Sequence, residues 1–170
     1  MNAELKADGT IELTLKRVLP FPRQRIFDAW IQPKHLMRWM GPTPDINLDF
    51  AEVDARPGGS YRMGFKDPDC QTSEPLSIVH GEFLVLEPPS TLKFTWIWEQ
   101  PVPDAGAVTV VTVELSDVAA GTELTLTHQR LPNQEFAQRH EQGWIGTLDK
   151  FQRYLERPHS TPISDNPTEA

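Results

Sequence analysis

The chain has 170 residues, 38% of them hydrophobic and 24% charged, with a formal net charge of −8, a balance that suits one globular domain with a sizeable core. The acidic charge opposes docking on a phosphate backbone, which calls for Lys and Arg gathered on one face, so nucleic acid is not an expected partner. No run approaches the roughly 18 consecutive apolar residues of a membrane span, so a soluble protein without membrane contact is expected.

In chain order, the opening MNAELKADGTIELTL has neither the basic nor the apolar region of a secretory signal, and the cytoplasm is the expected compartment. Ile11, Leu13 and Leu15 alternate with Glu12, Thr14 and Lys16, the two-residue period of a half-buried strand. Pro22 is a favourable first helical position, and Ile26, Phe27, Trp30 and Ile31 recur at steps that predict a short amphipathic helix. Pro33 stops that helix and opens a further turn or two carrying Leu36, Met37, Trp39 and Met40, up to the break at Gly41-Pro42.

From 46 to 128 the pattern is of strands separated by turns. Ile46, Leu48 and Phe50 are predicted to share one strand face, and Arg56-Pro57-Gly58-Gly59 then requires a turn or bulge, because glycine supplies positive φ. Tyr61, Met63 and Phe65 alternate with Arg62, Gly64 and Lys66 before a polar loop over 67–75. The single cysteine, Cys70, lies in that loop near Asp67 and Asp69. It cannot form an internal disulfide, and neighbouring carboxylates raise a thiol pKa, so it is not expected to act as a nucleophile. A strand over 78–86 ends at Glu87-Pro88-Pro89-Ser90; Phe94, Trp96 and Trp98, then Val111, Val113 and Leu115, then Leu124, Leu126 and His128 mark three more. In all, six or seven antiparallel strands are expected.

A long helix over 133–157 closes the pattern. Phe136, His140, Gly143 with Trp144, Thr147 with Leu148, Phe151, and Tyr154 with Leu155 form one continuous stripe, with Asn133 as N-cap and Arg157-Pro158 as the stop. The polar, proline-bearing segment 158–170 is expected to be a disordered tail, leaving 10–157 as one domain.

One strand, two short helices, a run of antiparallel strands and a closing helix is the order of the helix-grip fold, an α+β architecture. Phe27-Asp28-Ala29-Trp30 with Pro33 and Trp39, residues 53–61 (VDARPGGSY), Leu86-Glu87-Pro88-Pro89 with residues 92–96 (LKFTW), residues 121–128 (GTELTLTH), and Gly143-Trp144 with Leu148 add local motifs. Together they resemble the branch of the START-like superfamily named after the activator of the heat-shock protein 90 ATPase, over about residues 13–155. The resemblance implies a curved antiparallel sheet around a C-terminal helix with a cavity between them. In the wider superfamily such cavities bind lipids, hormones or polyketides, and some catalyse cyclisation or hydrolysis, while the founding co-chaperones stimulate an ATPase.

Three groups of residues carry the candidate chemistry. His128 shares parity with Leu124 and Leu126, so its imidazole faces the helix, either as a ligand anchor or base or as a histidine locked by hydrogen bonds. Asp54 and Arg56 beside the tight turn either pair with each other to shape a bulge or anchor an anionic headgroup. Trp39, Tyr61, Trp96, Trp98 and Trp144 are either core or cavity wall, and Gly143 either permits close packing or leaves room for a ligand. No phosphate loop, nucleophile elbow or HExxH spacing occurs, and the five histidines are scattered, so neither cofactor nor metal is expected. The leading expectation is a binding domain for a small apolar or amphipathic ligand, lined by several of those residues with His128 or Arg56 as polar anchor. The alternatives are a chaperone-docking module and a hydrolase or cyclase using His128.

Overall fold

The computed structural model describes residues 2–69 and 76–157; the expectations for Cys70 and for the polar tail fall outside them. The chain runs β1 (Ala3–Leu5), β2 (Ile11–Leu19), α1 (Arg23–Ile31), α2 (Pro33–Trp39), β3 (Asn47–Val53), β4 (Ser60–Lys66), β5 (Leu76–Glu87), β6 (Thr91–Trp98), β7 (Thr109–Val118), β8 (Gly121–Leu131) and α3 (Gln134–Glu156). All eight strands join one antiparallel sheet in the order β1-β2-β8-β7-β6-β5-β4-β3. Strand β1, whose three residues are too short and too exposed to show an alternating pattern, is the addition to the expected count.

Alternation places one face of each strand in the core. Leu13, Leu15 and Leu19 of β2, Leu92, Phe94 and Trp96 of β6, and Leu124, Leu126 and His128 of β8 are buried. On β3 the expected common face of Ile46, Leu48 and Phe50 does not form, because the register slips between Leu48 and Phe50: Leu48 pairs with Phe65, and Phe50 with Gly64. The extra residue reverses the parity beyond it, as a bulge does. Leu48 stays buried, Ala51 and Val53 take over the core side, and the Phe50 ring turns away to lie over Gly64. A Cβ on Gly64 would sit 2.5 Å from Phe50 Cε2, so a larger residue there would push aside the ring, which Arg62 covers at 5.6 Å.

Helix α3 begins where Asn133 accepts a hydrogen bond from the Phe136 N–H at 2.8 Å, satisfying one of the otherwise unpaired first-turn donors. Its buried stripe is the one read from the sequence: Phe136, His140, Trp144, Thr147, Leu148, Phe151, Tyr154 and Leu155. The helix packs on β2 and β8 and against α2. Trp39 of α2 is fully buried against Phe151 and Trp30, with ring centroids 4.3 and 4.8 Å away, and its indole N–H donates to the Ala29 carbonyl at 3.0 Å. The helix therefore grips one half of the sheet and stands away from the other. Among the described residues no helix is long and apolar enough to cross a membrane.

Candidate functional site

The half of the sheet that α3 does not cover holds a cavity of about 270 Å³. Phe65 of β4, Ser77 of β5, and Trp96 and Trp98 of β6 form its sheet wall; His140, Gly143, Trp144 and Thr147 of α3 form the opposite one. Met40, Pro42 and Ile46, from the segment joining α2 to β3, close one side. Asp67 and Arg139 place charge among the lining residues; Arg139 is exposed and lies 3.7 Å from Asp104.

Local sequence explains the helical wall. Residues 140 and 143, 140 and 144, 143 and 147, and 144 and 147 stand three or four apart, so the four lie on one face. The two glycines of this stretch have opposite roles. A Cβ on Gly146 would fall 2.0 Å from the Pro42 carbonyl oxygen, so this glycine lets the connecting segment lie directly on the helix. A Cβ on Gly143 would meet only Pro42 Cβ, at 3.9 Å, so this glycine leaves open space in the wall. Lys150 holds the same segment through hydrogen bonds to the Thr43 and Ile46 carbonyls, each 3.0 Å.

The polar core beside the cavity is a chain of satisfied hydrogen bonds. Trp144 Nε1 donates to His128 Nδ1 at 3.1 Å, so the His128 proton resides on Nε2, from which it is donated to Thr109 Oγ1 at 2.8 Å. Thr109 in turn donates to the Trp96 carbonyl at 2.7 Å. His140 carries its proton on Nδ1, donated to the Phe136 carbonyl at 2.8 Å, and its Nε2 accepts from Trp98 Nε1 at 2.9 Å. Burial pushes His140 down to about 4 and His128 well below the usual histidine value, so both are neutral near pH 7. Neither offers a free acceptor nitrogen to a substrate.

Of the residues expected at the site, Trp96, Trp98, Gly143 and Trp144 line the cavity; Trp39, Arg56, Tyr61 and His128 do not. His128 is displaced from that role by its position: β8 lies between β2 and β7, where Leu13 and Val111 pair with His128 on either side, and Trp144 caps it. It is sealed with no exposed surface, and the locked histidine is the form found. Arg56 sits at the exposed β3–β4 turn, its Nε 3.0 Å from Asp54, so the pair shapes the turn and anchors nothing in the cavity. Tyr61 donates to the Thr95 carbonyl at 2.6 Å and borders a separate void of about 20 Å³. Trp39 is core. The histidine of the wall is instead His140, which the helical stripe contained, beside the polar lining residues Ser77, Thr147, Asp67 and Arg139; its ring lies 5.3 Å from that of His128. Met40, Pro42 and Ile46 carried no site signal in the sequence, because nothing local shows that their segment folds back over α3. Among the described residues no three His, Cys, Asp or Glu side chains cluster as a metal site.

An antiparallel sheet curled around a C-terminal helix, with a cavity beside the helix, is the helix-grip architecture of START-like proteins. The family described as "Activator of Hsp90 ATPase homolog 1-like protein" matches residues 20–156, and the chain belongs to it. Among solved structures, the AHSA1 protein of Silicibacter pomeroyi is 25% identical, with a TM-score of 0.75 over 87% of this chain and 99% of that one. A protein of Chromobacterium violaceum is 23% identical, with a TM-score of 0.74 over 86% and 98%. An AHSA1-like protein of Aeromonas hydrophila is 22% identical, with a TM-score of 0.70 over 87% and 96%. Comparison with curated proteins gives no match.

Proposed function

We propose that this chain binds a small, mostly apolar ligand in the cavity between α3 and the β4–β6 half of the sheet. The observation that carries the reading is the cavity of about 270 Å³ walled largely by Met40, Phe65, Trp96, Trp98 and Trp144. Ligand sites span roughly 300–1,000 Å³, are mainly apolar and carry a few placed polar groups. The volume stands near the low end of that range, which favours one or a few rings or a short acyl chain over a full lipid. Both buried histidines are neutral and engaged, which supports binding without catalysis by either of them.

Aminoanthracene, an apolar fluorophore of suitable size, tests this. Its emission is expected to rise on mixing with the protein and the tryptophan emission to change with it, since Trp96, Trp98 and Trp144 border the space. Gly143→Trp is expected to abolish both effects by filling the cavity. A folded wild-type protein that does not respond, or a Gly143→Trp variant that responds equally, removes the reading and leaves docking on a chaperone partner as the alternative.

A further inference from the structure

Resting on that reading, we infer that the ligand is an organic cation, a quaternary or tertiary ammonium on a small apolar body, held by the aromatic walls of the cavity with Asp67 as its counter-charge. The walls are rich in rings. Phe65, Trp96 and Trp98 on the sheet and Trp144 on α3 all line the space. They form one contiguous surface: between centroids, Phe65 meets Trp98 at 5.7 Å, Trp98 meets Trp96 at 5.5 Å and Trp96 meets Trp144 at 5.2 Å. The planes of these pairs cross at 52°, 89° and 52°, so the rings wall a corner rather than a flat slot. A corner suits a rounded head, and the negative faces of aromatic rings, tryptophan above all, attract a cation.

Charge in the lining points the same way. It holds one carboxylate and one guanidinium, Asp67 and Arg139, and the two differ in what already faces them. Arg139 lies 3.7 Å from Asp104 and over the Phe136 ring at 5.5 Å. Asp67 accepts the Asp69 backbone N–H at 2.9 Å, and among the described residues no Lys, Arg or His stands within ion-pair distance of it. His140 adds no opposing charge, since burial keeps it neutral near pH 7. A neutral ligand covering Asp67 would strip water from a carboxylate without compensation, and an anionic one would add repulsion. A cation offsets that cost. The formal net charge of −8 also favours the approach of cations over anions.

Phenyltrimethylammonium and its neutral isostere tert-butylbenzene, each displacing aminoanthracene, test this, with benzenesulfonate as the anionic probe. The ratio of cation to isostere affinity is expected to fall about tenfold on Asp67→Asn, which keeps the shape of the side chain and removes its charge. Replacing the five tryptophans by monofluorinated and then difluorinated tryptophan withdraws density from the ring faces, and should lower the same ratio about threefold at each step. A ratio that Asp67→Asn or fluorination leaves unchanged overturns the inference while cavity binding stands. Benzenesulfonate binding more tightly than phenyltrimethylammonium does the same and moves the polar anchor to Arg139. Binding of none of the probes, aminoanthracene included, overturns both readings. Should the fluorinated chain not fold, the ratio in Asp67→Asn decides alone.

Discussion

Trp144 and His128 are joined by a hydrogen bond from indole Nε1 to imidazole Nδ1, 3.1 Å long and fully buried, where the closing helix crosses the central strand β8. The contact makes Trp144 both a cavity wall and a structural partner, and it makes His128 a member of the core.

Replacing His128 therefore acts on the fold. His128→Ala is expected to lower the unfolding free energy by about 2–5 kcal/mol, through a cavity, the orphaning of Trp144 Nε1 and the loss of the bond that Thr109 Oγ1 accepts. Trp144→Phe keeps a ring but strands His128 Nδ1, at about 1–3 kcal/mol. Urea unfolding monitored by circular dichroism reads both. A His128→Ala protein of wild-type stability with impaired probe binding would return His128 to the ligand site.

Acid sensitivity follows from the same core. The folded-state pKa values of His128 and His140 are lowered by burial, His140 to about 4, whereas the unfolded chain takes up protons near pH 6.5. Between those values the unfolded state binds more protons, so stability is full above about pH 6.5 and falls as pH drops, by about 1.4 kcal/mol per pH unit for each histidine. Urea midpoints at pH 7, 6 and 5, above most carboxylate titrations, should decline steadily. A flat profile would show that these imidazoles protonate in the folded state.

The two helical glycines should respond oppositely to alanine. Gly146→Ala drives a methyl group against the Pro42 carbonyl and is expected to destabilise by about 1–3 kcal/mol or more. Gly143→Ala has room for its Cβ and improves helix propensity, so a gain of up to about 1 kcal/mol is expected, together with a smaller cavity. Melting temperatures of the two variants give the comparison directly, and equal losses would contradict it.

Lys150 should matter to the cavity without touching a ligand. Lys150→Met removes the ammonium that holds the Thr43 and Ile46 carbonyls and is expected to destabilise by about 1–3 kcal/mol. Because the same segment supplies Pro42 and Ile46 to the cavity wall, aminoanthracene affinity should also fall. Unaltered affinity in a destabilised variant would separate the segment from the site.

Periodicity and capping were legible in the residues themselves. The α3 stripe, its Asn133 cap, the two short helices and the alternation of β4, β6, β7 and β8 all follow from side-chain preferences within a few positions along the chain. Tertiary structure decided what parity leaves open. A bulge at β3 turned Phe50 away from Leu48, since pairing register depends on the partner strand. His128 and Trp96 both face inward, yet the position of β8 beneath the helix seals the first, while divergence of the sheet from α3 leaves the second at a cavity. Gly143 and Gly146 are alike in sequence, and only the fold of residues 41–46 onto the helix makes one indispensable and the other an opening. Which inward-facing residues meet space is set by how far two elements stand apart, a distance summed over many remote contacts that no short stretch of sequence encodes.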